Sequence, residues 1–323
     1  MLLRLLPPIL LLSTVMSLNF QYVPSSTPPS FTPTDNPPGV FVANHGAPTN
    51  GSPSRGVYTA MEVRDGKIVG RSFHMERILE GVTKVNVPPS PSLPTLLTSL
   101  FSTCESFICA SSSSPAASGM ITVCLTPPLS FGCHIMLSSP PTDSEIVVNV
   151  VLGNEAGRLG EHVGVKRCSW AIDRRPLEGM KIKVDPGDGV GSEVVMTMPT
   201  VDESSGEQRE YHALEGLVSN FFVITPSGDL LTAPSSSVLQ GYKRSVFLAA
   251  ASDLNIPVRF AVPVSCLGEV GCAFTTSSWG GGREVKEIYV DGELRWSKEE
   301  GAENDIFRRL KERVREIEEE EVG

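Results

Sequence analysis

The stretch Leu214–Ser245, LEGLVSNFFVITPSGDLLTAPSSSVLQGYKRS, decides how this chain is read. Glu215 heads an apolar run that reads as a buried strand. A turn follows at Pro226-Ser227-Gly228-Asp229, where proline and glycine supply the dihedrals a tight reversal needs. A second apolar pair comes next, then Gly241 at the mouth of a helical segment running from about Lys243 to Leu254. A carboxylate at a buried strand needs a partner, because an uncompensated buried charge is costly. A protonated ring nitrogen of a ligand, an arginine or a helix N-terminus would each serve. A glycine before a helix lets backbone N–H groups and the helix dipole face an anion. On its own this is a common loop feature.

Downstream, "GCAFTTSSWGGGREVKEIYVDG" reads as a strand, a turn of small residues and another strand. Its hydroxyls, Thr275 to Ser278, suit phosphate oxygens and equally suit a plain turn. From Ser297 the tail places Ile306, Phe307, Leu310, Val314 and Ile317 on one face, which predicts a docked terminal helix with "EEEE" as its solvated end. Upstream, "VKRCSWAIDRRPLEGMK" reads as a strand end passing into a helix. Its Lys166 is either a surface lysine or an amine desolvated near a sheet. "SEVVMTMP" is a strand, and "TVDESSGEQREYHA" is a polar exposed tip.

The first half has a different pattern. Residues 20–55, rich in Pro, Ser, Thr and Asn, read as a mostly irregular lead-in with "GVFVAN" as a candidate short strand. "GVYTAMEVRDGKIVGRSFH" is a hairpin around Asp65-Gly66, and "HMERILEGV" is a short helix ended by Gly81. Residues 91–109 have helical spacing. "MITVCLTPP" and "EIVVNVVLG" are strands separated by a Ser/Pro-rich loop, in an α+β unit ending near Gly160. The chain therefore divides into a lead-in or leader over 1–36, a small α+β domain over 37–160, a larger domain over 161–296 and a terminal helix over 297–323.

Composition narrows the classes. The chain has 323 residues, which suits two domains. It is 40% hydrophobic and 20% charged, enough for a core and too apolar for disorder. A net charge of -10 and a pI near 5.1 argue against a partner bound through phosphate neutralisation, such as nucleic acid. Seven cysteines without C-x-x-C spacing argue against a disulfide framework or a structural zinc site, and no metal is expected. The N-terminal "MLLRLLPPILLLSTVMSLNF" reads either as a plastid or secretory leader, or as residues upstream of a start at Met16 that leave a cytoplasmic protein. Pro7 and Pro8 and the short apolar run argue against a membrane span.

A lysine, a buried carboxylate and two phosphate-suited loops together suggest one ligand. Pyridoxal phosphate needs an amine for its aldehyde, an acid for its ring nitrogen and donors for its phosphate. The order of these motifs resembles class IV aminotransferases, the fold-type IV family of branched-chain and D-amino acid aminotransferases and aminodeoxychorismate lyase. The resemblance runs from about Gly56 to Gly292. It implies a two-domain enzyme that mixes α/β and α+β structure, with a small N-terminal α+β domain and a larger, β-rich α/β domain. In "VKRCSW" it makes Lys166 the lysine that carries the cofactor. In "LEGLVSNFFVITPSGDLLTAP" it makes Glu215 the acid at the ring nitrogen. It puts Arg77, the backbone at Gly241, Tyr242 and Lys243 in "VLQGYKRS", and Ser277 and Ser278 in "AFTTSS" on the phosphate.

The implied activity is transamination between an amino acid and a 2-oxo acid, in a homodimer. A lyase of the aminodeoxychorismate type and a member with a degenerate substrate pocket are the alternatives. The chain departs from the family in having "SPSRG" (Ser52–Gly56) without an aromatic residue. "ITVCLTPPLSFGCH" has no arginine, only His134. Ala171, beside Trp170, stands where the branched-chain branch has a tyrosine. Arg174 and Arg175 are candidate carboxylate binders, or a solvent-facing pair.

Overall fold

The computed structural model describes residues 17–22, 31–34, 42, 56–85, 91–111, 118–126, 130–137, 145–153, 164–185, 187, 189–201 and 208–322. Residues 1–16, and with them most of the leader question, lie outside these. So do "GVFVAN" apart from Val42 and residues 202–207 of the expected polar tip; the rest of that segment is strand, with Ala213 buried, because it is paired within a sheet.

A six-stranded antiparallel sheet carries the first half, in the order β2-β1-β6-β5-β3-β4. The strands are β1 (Ser17–Tyr22), β2 (Phe31–Thr34), β3 (Val57–Arg64), β4 (Lys67–Ile68), β5 (Gly119–Thr126) and β6 (Ser130–Leu137). The hairpin forms where expected. Asp65 and Gly66 both have positive φ, 51° and 75°, the pair a primed turn requires. Alternation then assigns the faces. Met61 and Val63 of β3 and Ile121, Val123 and Leu125 of β5 enter a core with helices α1 (Arg71–Lys84) and α2 (Leu93–Ser111). Tyr58, Ala60, Glu62, Met120 and Thr122 occupy the intervening positions on the opposite face.

Three sequence expectations change here. The lead-in, read as mostly irregular, supplies two short strands, β1 and β2, that the sequence did not suggest. A strand, β6, lies within the segment read as loop; it is paired on both sides, by β5 and β1, and ladder hydrogen bonds compensate for its weak alternation. Gly81 does not end α1, which continues to Lys84. Any β-carbon at Gly81 would lie 3.2 Å from Val57 Cγ1, so the glycine serves close helix–strand approach.

The second half forms a nine-stranded sheet, β12-β11-β10-β13-β14-β7-β8-β9, with β15 on β14. Its strands are β7 (Ile146–Val151), β8 (Gly191–Val201), β9 (Gln208–Gly216), β10 (Asn220–Ile224), β11 (Leu230–Thr232), β12 (Val258–Arg259), β13 (Cys272–Ser277), β14 (Gly281–Val290) and β15 (Glu293–Ser297). The expected domain division is corrected at β7. Placed in the first domain by the sequence, β7 lies between β8 and β14 in this second sheet. Because β9 also pairs with β10, through Glu215 and Asn220, six strands close into a ring. Val148, Val195, Ala213, Phe221, Val223, Ala273 and Val285 share one core of this sheet.

Two single-turn helices, α3 (Trp170–Asp173) and α4 (Arg175–Glu178), follow Lys166. Helices α5 (Tyr242–Asp253) and α6 (Asp305–Val322) cover the other side of the large sheet. The expected apolar face of α6 packs against Phe222, Phe247 and Phe274. Phe274 stacks on Phe222 at 4.9 Å between ring centres and meets Phe307 at 4.6 Å. Glu318 and Glu321, read as part of a solvated end, are engaged instead. Glu318 is buried, and Glu321 accepts a hydrogen bond from the Tyr242 hydroxyl at 2.6 Å.

Two outcomes follow from this packing. Phe307→Ala should destabilise the protein by about 3–5 kcal/mol, as large-to-small core changes of aromatics do; chemical denaturation measures it. His74, fully buried with Nδ1 2.7 Å from Thr59 Oγ1, has its pKa held well below the usual 6.5 by burial first and then by the charges of Arg77, Lys166 and Lys243. The unfolded chain therefore binds the proton first, and the stability His74 contributes above about pH 6.5 is lost as pH falls below it. An NMR titration should show the ring remaining neutral in the folded protein through that range.

Candidate functional site

Lys166 is positioned by the small sheet. The segment around it bridges to the start of β3: Tyr58 N–H donates to Lys166 O at 2.8 Å, and Cys168 N–H donates to Gly56 O at 2.9 Å. The amine lies 4.9 Å from the centre of the Tyr58 ring, close enough for a cation–π contact. Downstream, the indole N–H of Trp170 donates to Leu217 O at 2.8 Å. Trp170 is thus buried in the scaffold, while Ala171 faces the cavity.

Glu215 is the penultimate residue of β9, not the head of a buried strand as its apolar neighbours suggested. That strand, β10, begins after the turn, at Asn220. The carboxylate is 2% exposed. Its Oε1 accepts from Leu239 N–H at 3.0 Å, and its Oε2 accepts from Asn220 Nδ2 at 3.2 Å. The same Asn220 amide donates to Leu239 O at 2.8 Å. One asparagine thus joins the acid to the loop that leads into α5. Sequence reasoning passed over Asn220, although a polar residue opening an otherwise apolar strand was a usable signal. The turn itself is held by Glu193, which accepts from Leu217 N–H and Ser219 Oγ. Burial raises the pKa of Glu193.

Gly241 is the N-cap of α5, with extended dihedrals of -67° and 145°. A β-carbon there would lie 2.4 Å from Asn220 Oδ1, so a larger residue would have to displace that amide. Arg77, reaching across from α1, donates to Gln240 O just before the cap and stands over the Phe73 ring. On β13, Thr276 Oγ1 is buried at the cavity wall with no hydrogen-bond partner among the described residues. Ser277 and Ser278 follow at the half-buried rim.

These groups meet in one cavity of about 330 Å³ between the two sheets. Arg77, Lys166, Glu215, Gly241, Lys243, Ser277 and Ser278, all singled out from the sequence, line it. Tyr242 does not; it is buried, with its hydroxyl on Glu321. Of the two candidate carboxylate binders, Arg174 lines the cavity beside Glu178 and Arg175 is exposed. His134 is buried on β6. It lies opposite Thr122, one strand beyond the cavity, whose wall Thr122 forms. Arg244 lines the cavity too, donating to Ala233 O at 2.7 Å and Ser235 Oγ at 3.1 Å, and Arg283 enters from β14. Burial lowers the pKa of both arginines, and nearby carboxylates, Glu215 and Glu193 respectively, partly offset that.

Apart from Lys243, whose ammonium is paired elsewhere, five cations share the cavity with Glu215, the one carboxylate among its described lining residues. Such a site concentrates anions. Its amine and its glycine-fronted helix terminus suit a ligand with an electrophilic carbon and a phosphate. Among the described residues, no group of three His, Cys, Asp or Glu side chains is placed to hold a metal ion.

No family model matches the sequence, and no curated protein matches it. Solved structures do match. A fold IV-transaminase from Curtobacterium pusillum superposes with a TM-score of 0.60 at 15% identity, over 91% of this chain and 96% of that one. A hypothetical aminotransferase from Mycobacterium tuberculosis, bound to alpha-ketoglutarate and PMP, gives 0.59 at 17% identity, over 80% and 87%. The branched-chain amino acid aminotransferase of Escherichia coli gives 0.55 at 17%, over 80% and 83%. At these identities it is the architecture that is shared: this chain has the mixed α/β fold of the fold-type IV aminotransferases.

Proposed function

We propose that this protein is a pyridoxal-phosphate-dependent aminotransferase that exchanges an amino group between an amino acid and a 2-oxo acid. The observation that carries the reading is the convergence, in one cavity between the sheets, of the Lys166 amine, the buried Glu215 carboxylate and the Gly241 end of α5. The residues fit the cofactor on two counts of their own: the buried Thr276 hydroxyl awaits an acceptor or donor, and the cradle at Gly241 would be filled by a β-carbon. The similar Mycobacterium tuberculosis protein, seen in a PLP-bound form, supports the choice of ligand.

The phosphate would be held by backbone N–H groups after Gly241, by the hydroxyls of Thr276, Ser277 and Ser278, and by Arg77. When bound, pyridoxal phosphate supplies an aldehyde carbon for an amine and a ring that withdraws electrons from the substrate α-carbon. Glu215, buried and directed by Leu239 N–H and Asn220 Nδ2, would hold a proton on a ring nitrogen. Asn220 and Leu239 fix its direction beforehand, so no reorganisation is needed as charge develops. Lys166 Nζ would hold the aldehyde carbon and would serve as the base and acid at the substrate α-carbon. On the substrate side the walls are Tyr58, Ala60, Met120, Thr122 and Ala171, with Arg174 as the carboxylate anchor. The Arg174 side chain is 13% exposed, and its partner Glu178 is 40% exposed, so a substrate carboxylate can compete for the guanidinium.

Purified protein incubated with pyridoxal phosphate should develop the visible absorbance of a lysine-bound cofactor. Borohydride followed by peptide mapping should then mark Lys166; a mark on another lysine would overturn the assignment. Glu215→Gln should keep the cofactor and lose on the order of a hundredfold or more in transamination rate, whereas undiminished turnover would contradict its role. Pyruvate release from aminodeoxychorismate, without exchange of the amino group onto a 2-oxo acid, would replace the transaminase reading with the lyase.

A further inference from the structure

The far side of the phosphate turn contains a cluster that the chemistry above leaves unused. Lys243, the second residue of α5, turns its ammonium away from the loop and toward two carboxylates. Its Nζ lies 2.5 Å from Glu318 Oε1 and 2.9 Å from Glu62 Oε2. Arg64 closes the square, with Nη2 2.8 Å from Glu62 Oε1 and 3.0 Å from Glu318 Oε2. The side chains of Lys243, Glu318 and Glu62 are 3%, 2% and 6% exposed. Two positive and two negative groups thus balance; three of them are buried, and Arg64, 30% exposed, closes the cluster toward solvent. They come from three separate elements: β3 of the small sheet, the start of α5 and the end of α6. Next to Lys243, the Tyr242 hydroxyl is held by Glu321, one turn further along α6.

The placement has a consequence for anion binding. A lysine in the first turn of a helix beside a phosphate site would ordinarily serve as a point charge on the anion. Here two buried carboxylates hold that ammonium, and withdrawing it would leave them uncompensated. The backbone N–H groups of the turn, not the lysine, are then left to face the cavity.

We infer that Glu318, with Glu62, is a positioning residue for the phosphate turn: it anchors Lys243 and so holds the first turn of α5, making the C-terminal helix part of the cofactor site. This rests on the pyridoxal phosphate reading above. The cluster also ties the small sheet to both helices, so the geometry of the turn depends on how the two halves of the chain are docked.

Two readouts test it, one of them independent of any ligand. Amide hydrogen exchange across residues 242–245 in cofactor-free protein should be faster in Glu318→Gln than in the wild type, with far strands such as β7 unchanged. The dissociation constant for pyridoxal phosphate, followed by its absorbance, should rise on the order of tenfold or more, since small displacements of binding groups are felt strongly. Glu318→Asp should recover part of both effects. Unchanged exchange in the first turn of α5 would overturn the inference. So would unchanged affinity, or a tighter complex in Glu318→Gln, which would mean that the released Lys243 binds the phosphate itself. Should Glu318→Gln fail to fold, Glu62→Gln, which removes the other carboxylate charge on Lys243, is read by the same criteria. A wild-type protein that never takes up pyridoxal phosphate would remove the functional reading, while the exchange measurement alone would still decide the positioning claim.

Discussion

Asn220 is the hinge of this structure's chemistry. Its backbone pairs with Glu215 where β10 meets β9, the single pairing that closes six strands of the large sheet into a ring. Its side-chain amide meanwhile donates to the Glu215 carboxylate and to Leu239 O, and its Oδ1 sits where any side chain at Gly241 would have to go. Ring closure, the direction of the acid and the shape of the anion site are therefore one constraint. A buried carboxylate is tolerated only when hydrogen-bonded, and here the groups that satisfy it are those that lead into α5.

The remaining parts of the cavity come from the small sheet. Strand alternation gives β3 two distinct roles. Thr59, Met61 and Val63 face α1 and α2, while Tyr58 and Ala60 form a cavity wall and Glu62 and Arg64 reach the helices of the other half. Lys166 is held by hydrogen bonds to the first residues of that strand. The amine thus belongs by sequence to the second half and by hydrogen bonding to the first. A site built this way exists only when the two halves are docked.

Charge is divided by depth. The cavity collects cations around one carboxylate, which suits an anionic ligand, although the chain as a whole carries -10. Behind the cavity, Lys243 and Arg64 are matched by Glu62 and Glu318, so that charge contributes to docking without adding to the field on the ligand. Net charge described the solvated surface; the local field depends on which charges are compensated within a few ångströms.

Much of this was legible in the chain. The turn residues Asp65 and Gly66, the apolar face of α6, the glycine before α5 and the candidate residues that line the cavity follow from local rules of turn geometry, periodicity and motif order, which act over a few residues. Other features were not. Strand β6 has weak alternation and is made a strand by its neighbours on both sides. Gly81 resembles a helix stop and is a packing contact with Val57. Glu318 resembles one more residue of a solvated acidic tail, yet it is buried against Lys243, seventy-five positions earlier. Sequence by itself determined which residues are candidates for the chemistry, because side-chain type and local spacing are written in it. Tertiary structure alone decided which carboxylates face a ligand and which face a lysine, because burial and ion pairing depend on what distant segments bring within a few ångströms.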